Sequence, residues 1–254
     1  MSRVYAFIPA RYRSTRFPGK PLASIAGKPM IRHVYERAAL CPEFSGVFVA
    51  TDDERISDCV KEFGGRVVMT GREHPSGTDR ICEAALKTGL AEEDIVINIQ
   101  GDQPLFDPSV VSRLVAPLEA DASLHMSTLK YRLTDPKDVL NPNHVKVVTD
   151  LQGTAIYFSR CPIPYFRDVL PEGGHFKHLG FYGYRMGFLT RFTRLPPGPL
   201  ESAEKLEQLR ALEHGFRIRV VETIVNSIEV DVPEDIHAVE AALRRSPSRG
   251  PVGP

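Results

Sequence analysis

The strongest constraint on this chain is the alternation of two hydrophobic periods through its first half. Short, almost wholly apolar runs at 4–9, 47–51, 66–69 and 95–99 predict strands. Helical patterns at 30–40, 53–63 and 77–88 separate them, and another at 108–118 follows the last strand. Strands this apolar belong in a sheet that helices cover on both faces. The alternation therefore predicts a Rossmann-like, doubly wound α/β fold with a mostly parallel sheet.

The second half reads differently. Segments 124–132, 144–149, 154–160 and 179–186 predict strands with no long helix between them, and Asp150-Leu151-Gln152-Gly153 predicts a hairpin turn. Residues 124–195 are thus expected to form an antiparallel or mixed insert, a lobe over the sheet. A helix is expected at 203–214, with Leu206, Leu209 and Leu212 along one side. Strands are expected at 218–224 and 227–230. Pro233 is expected to open a last helix carrying Ile236, Val239 and Leu243 at helical spacing. These elements make one α/β domain over 1–245, and the Pro/Gly/Ser-rich tail 246–254 is expected to be disordered.

Charge narrows the classes of partner. Lys plus Arg number 32, as do Asp plus Glu, so the formal net charge is zero. Such a chain has no global field to draw nucleic acid or an acidic membrane, and any anion must be held by a local cluster. The sequence opens straight into an apolar strand without a signal-peptide pattern, and no apolar run approaches the ~18 residues of a membrane span. Cys41, Cys59, Cys82 and Cys161 are widely spaced, with neither C-x-x-C nor zinc spacing, and read as reduced thiols. The expected setting is the cytoplasm.

In an open α/β sheet, ligands bind beyond the carboxyl ends of the strands, and three segments converge there. The first runs from Pro9 to Leu22. Arg11, Arg13, Arg16 and Lys20 fall within ten residues without a carboxylate, and Pro18, Gly19 and Pro21 forbid a regular helix. Cations on an irregular loop at a strand end suit a triphosphate, although the spacing is not that of a Walker A loop. The second is Gln100-Gly101-Asp102-Gln103-Pro104, a Gly turn and carboxylate after the apolar strand at 95–99. Taken alone, Asp102 could equally be a cap or turn residue. The third is Val230-Asp231-Val232-Pro233, where Asp231 could simply favour the positive end of the next helix. Two carboxylates facing a triphosphate are what Mg²⁺ requires, since it completes its shell with phosphate and water.

These residues resemble a known family. The stretch Pro9-Ala10-Arg11, Ser14-Thr15-Arg16 and Pro18-Gly19-Lys20-Pro21-Leu22 is similar to the opening signature of the 3-deoxy-manno-octulosonate (Kdo) cytidylyltransferases. Acylneuraminate cytidylyltransferases share a looser version. The resemblance continues in order through Ser76-Gly77-Thr78-Asp79-Arg80, Gln100-Gly101-Asp102, Asn141-Pro142-Asn143 and Tyr157-Phe158-Ser159-Arg160. It goes on through 178–185, Leu206-Glu207-Gln208 and 230–235, and reaches about residue 243. Gln103 and Asp79 depart from it, standing where Glu is common.

The resemblance implies a nucleotidyltransferase that joins CMP from CTP to Kdo, releasing pyrophosphate and making CMP-Kdo for lipopolysaccharide assembly. It implies Arg11, Arg16 and Lys20 on the triphosphate, and Ser76, Gly77, Arg80 and Gln100 on the nucleotide. Asp102 and Asp231 are implied as Mg²⁺ ligands. Gln100, Arg160, His178, Tyr184, Glu207 and Gln208 are implied as the sugar-acid pocket, with Arg160 offering its fork to the sugar carboxylate. It further implies a homodimer, with the insert at its interface. Two alternatives stand beside this reading: an acylneuraminate cytidylyltransferase, and a non-catalytic nucleotide-binding module. From the residues alone, Ser76 also fits a helix cap, and His178 and Tyr184 also fit packing among strands.

Overall fold

The computed structural model describes residues 2–14, 16–168 and 174–245. The expected disordered tail at 246–254 lies outside the described residues. In chain order the elements begin with β1 (Val4–Ala10), a 3₁₀ turn (Lys20–Leu22), the two-residue strands β2 (Ser24–Ile25) and β3 (Lys28–Pro29), α1 (Met30–Ala38), β4 (Phe44–Thr51) and α2 (Glu54–Glu62). Next come β5 (Val67–Met69), α3 (Gly77–Lys87), β6 (Ile95–Asn98), α4 (Ser109–Ala120), β7 (Met126–Leu133) and α5 (Pro136–Leu140). They are followed by β8 (Lys146–Thr149), β9 (Ala155–Ser159), β10 (His175–Arg185), α6 (Met186–Phe192), α7 (Pro199–Glu204), α8 (Gln208–Glu213), β11 (Ile218–Thr223) and α9 (Asp235–Arg245).

The main sheet runs β11-β7-β10-β6-β1-β4-β5. Strands β5, β4, β1 and β6 pair parallel, β10 runs antiparallel to both β6 and β7, and β11 pairs parallel with β7. One reversed strand thus interrupts an otherwise parallel sheet. Each face carries its own core because side chains alternate along each strand. Ala6, Ile8, Ile95, Ile97 and Ile99 pack on one face with residues of α1, α2 and α4. Phe7, Val96, Tyr182 and Tyr184 pack on the other with α3, α6 and α8. A third cluster joins Ile25, Met30 and Val230 to Val239 of α9.

Three expectations need correction. Within 124–195, β7 and β10 are central strands of the main sheet, and only the β8–β9 hairpin extends off that path. A lobe over the sheet is therefore confined to the stretch between these two strands. The helix expected at 203–214 is two helices, broken where Lys205 adopts a left-handed φ of 55°. No strand forms at 227–230, and α9 begins at Asp235 instead of Pro233. The turn at 150–153 closes the β8–β9 hairpin as expected, with Gly153 at φ 79°. Among the described residues, no helix is long and apolar enough to cross a membrane.

Candidate functional site

The site forms along the carboxyl edge of β1 and β6. Immediately after β1, the basic loop folds back on itself: the Gly19 amide donates to the Tyr12 carbonyl at 2.8 Å. Gly19 has φ 72°, and a Cβ there would lie 3.2 Å from the Tyr12 ring, so both backbone and space favour glycine. The turn after β6 is equally tight. A Cβ on Gly101 would stand 2.9 Å from the Pro9 carbonyl oxygen, which is how Asp102 comes close to the loop.

Lys20 ties the pieces together. Its ammonium donates to Asp102 Oδ2 at 2.9 Å and to the Val230 carbonyl at 2.9 Å, and lies 4.0 Å from Asp231 Oδ1. The Val230 amide in turn donates to the Asp102 carbonyl at 2.9 Å. Arg16 donates to Asp231 Oδ2 at 3.1 Å. The two carboxylates singled out in the sequence therefore stand together, neutralised by two cations of the basic loop. Asp231 arrives there on a segment after β11 that forms no strand and is held by the Val230 bonds to Asp102 and Lys20 and by its own amide, which donates to the Asp235 carboxylate at 2.7 Å. The Lys20 side chain is only 18% exposed, so it belongs to a packed edge and not to a free loop.

Arg11 turns the other way and donates to the carbonyls of His74 and Ser76, 2.7 Å each. Ser76 caps α3: its hydroxyl accepts from the Asp79 amide at 3.1 Å and donates to the Asp79 carboxylate at 2.6 Å. Gly77 follows with Pro9 packed against it. Arg80 is a correction. Its guanidinium is fully buried, 3.1 Å from Asp52, with a bond to the Thr70 hydroxyl, and it braces α3 against the sheet with no surface to offer a nucleotide. Burial holds its pKa below the ordinary arginine value, with Asp52 pulling it back up.

Beside the cation cluster lies a cavity of about 320 Å³ whose lining residues are mostly polar types. Gly77, Gln100, His178, Glu207 and Gln208 line it, as do Thr78, Asn98 and Tyr182. Gln100 donates to the Gly180 carbonyl at 2.7 Å. His178 is buried and its pKa falls to about 3, through burial first and the neighbouring Lys177 second. Its Nε2 lies 2.9 Å from the Thr128 hydroxyl, which also faces the Leu179 and Phe181 carbonyls at 3.2 and 2.7 Å. Burial pushes the Glu207 carboxyl above its ordinary pKa, against the opposing pull of the hydroxyl bond from Thr78.

Two expected pocket residues stand elsewhere. Tyr184 shares a face with His178 but packs under α6, 1% exposed, and Tyr182 takes the cavity wall between them. Arg160 spends its guanidinium on the carbonyls of Glu204 and Pro142, at 2.7 and 3.0 Å, and is not a lining residue. Sequence reasoning missed Thr78, Asn98 and Tyr182. Tyr182 keeps an even spacing from His178, and Asn98 breaks an apolar strand at its end; both signals were legible.

A family model described as "Cytidylyltransferase" matches residues 5–224. The 3-deoxy-manno-octulosonate cytidylyltransferase of Geobacter metallireducens is 53% identical over 253 residues, covering 96% of this chain and 98% of that protein. The 8-amino-3,8-dideoxy-manno-octulosonate cytidylyltransferase of Shewanella piezotolerans is 52% identical, covering 94% and 98%. A solved structure of a CMP:2-keto-3-deoxy-manno-octonic acid synthetase complexed with CTP superposes with a TM-score of 0.90 at 42% identity, covering 96% of this chain and 99% of that one.

Proposed function

The chain belongs to the 3-deoxy-manno-octulosonate cytidylyltransferase family, and from that premise we infer how its residues carry the reaction. The protein is an enzyme that moves CMP from CTP to Kdo, releasing pyrophosphate and forming CMP-Kdo for lipopolysaccharide biosynthesis. The observation that carries the site assignment is one continuous edge. Lys20 sits between Asp102 and Asp231, and Gln100, two residues before Asp102, opens onto the polar cavity.

The anomeric hydroxyl of Kdo attacks the α-phosphorus in line. A new P–O bond forms, the bridging bond to the β-phosphate breaks, and the hydroxyl proton is lost. No protein nucleophile takes part, so catalysis is positioning and charge neutralisation. Lys20 and Arg16, freed from their carboxylates, hold the triphosphate. Arg11 anchors the 74–76 segment so that Ser76 and Gly77 present the amino end of α3 to the nucleotide. His178, Glu207 and Gln208 position the sugar acid.

Asp102 and Asp231 fit Mg²⁺. Two carboxylate oxygens already flank one cation, and both are hard ligands. When bound, Mg²⁺ supplies charge neutralisation to the triphosphate. Residues 1–245 act as one α/β domain, and its place of work is the cytoplasm, where CTP is made. The face built by α5 and the β8–β9 hairpin pairs two copies: Leu140, Ile156 and Tyr165 are 71%, 61% and 87% exposed there, flanking apolar hollows.

The metal assignment is tested with Asp102→Asn and Asp231→Asn. Each variant should fold and lose most turnover, with the Mg²⁺ requirement shifted to higher concentration. Near-wild-type activity at limiting Mg²⁺ in either variant removes that residue from the ligand set.

A further inference from the structure

Asn98 is the last residue of β6, after Ile95, Val96 and Ile97, and is 2% exposed. It pairs with Phe7 on one side and Tyr182 on the other, and Tyr182 pairs with Thr128. Residues directly opposite in a sheet share a face. A polar row of Asn98, Tyr182 and Thr128 therefore crosses the floor of the site, with His178 bonded to Thr128 at its end. Within this row, the carboxamide oxygen of Asn98 is buried and has no hydrogen-bond partner. In the lining of the same cavity, the carboxamide nitrogen of Gln208 is also buried and unpartnered, in a residue 5% exposed. Buried polar groups are normally paired, and a strand end among isoleucines would be better filled by leucine unless something takes that bond.

We propose that Asn98 is a specificity-determining residue of the sugar site, acting with Gln208 of the same lining to read hydroxyl groups of the sugar acid. The inference rests on the assignment of this cavity to the sugar. Asn98 offers an acceptor and Gln208 a donor, and a hydroxyl can satisfy either because it both donates and accepts. A polyhydroxylated chain fills the two unmet valences, whereas a deoxygenated analogue leaves them empty. The position also explains why the row is amide and phenol instead of charged. Neutral groups select hydroxyls without competing with the phosphate-binding cations for the sugar carboxylate.

Asn98→Leu tests this, with Gln208→Ala alongside. Leucine matches asparagine in size and cannot hydrogen-bond. The Michaelis constant for Kdo should rise roughly 10-fold or more, and that for CTP should stay within about twofold. The free protein should melt at the same temperature or higher, because an unpaired buried oxygen has been removed without losing a bond. If Asn98→Leu does not fold, Asn98→Ser withdraws the group from the cavity and should give the same split. An unchanged constant for Kdo in the Asn98 variant, with Gln208→Ala raising it, overturns the role of Asn98 alone. No effect on Kdo in either variant overturns the sugar assignment of the cavity as well. A lowered melting temperature with both constants raised would make Asn98 structural.

Discussion

The residues of this site do their work through what burial and pairing force on each of them. His178 shows this most clearly. Its imidazole is held neutral in the fold, with a pKa of about 3 against an ordinary 6.5. The unfolded chain therefore takes up a proton at pH values where the folded one does not. The stability His178 supports is fully present above pH 6.5 and is lost as pH falls towards 3. A single such group contributes a slope approaching about 1.4 kcal/mol per pH unit within that window. His178→Gln should show a shallower fall in melting temperature between pH 6 and pH 4 than wild type. Parallel curves would mean that the ring is already protonated, or solvated, in the folded protein. The family resemblance named both His178 and Tyr184 for the pocket, and the cavity is lined by His178 and Tyr182. Even spacing gives the face of a strand and not the depth, and depth is set by α6 closing over Tyr184.

At the scale of elements, the strands of the first half were legible because burial on both faces leaves them almost continuously apolar, and their observed ends differ from expectation by few residues. The breaks were not legible. The 203–214 pattern has neither proline nor glycine inside it, yet Lys205 turns left-handed and separates α7 from α8. That break lets Glu207 and Gln208 begin a new helix at the cavity. Asp231 reached its place without the expected strand, through bonds of Val230 to Asp102 and Lys20 and of its own amide to Asp235 that no periodicity encodes. The loop carrying Lys20 depends on Gly19, and a matched pair of substitutions isolates that dependence. Gly19→Ala and Gly27→Ala both force alanine to positive φ, 72° and 80°, but only the first also drives a Cβ against Tyr12. Each should lose about 1–2 kcal/mol of stability, read as a lower melting temperature. Gly19→Ala alone should also lose CTP affinity and turnover. Equal turnover in the two variants would separate the loop's geometry from its chemistry.

For the molecule as a whole, one edge of a seven-strand path brings together residues as far apart as Arg11 and Asp231, so the proposed site exists only when the sheet is complete. The apolar face of α5 and the β8–β9 hairpin lies outside that edge. If it pairs two copies, light scattering should give a dimer for the wild type, and Ile156→Asp with Tyr165→Asp should give a monomer. A wild-type monomer at micromolar concentration contradicts the pairing. Pyrophosphate release measures the chemistry directly. The wild-type protein with Mg²⁺ is offered CTP, UTP, ATP or dTTP, each with Kdo, 8-amino-3,8-dideoxy-manno-octulosonate or N-acetylneuraminate. CTP with Kdo should give rapid release, the other nucleotides far less, and N-acetylneuraminate little with any of them. Efficient turnover of N-acetylneuraminate, or no release from CTP and Kdo, would contradict the account.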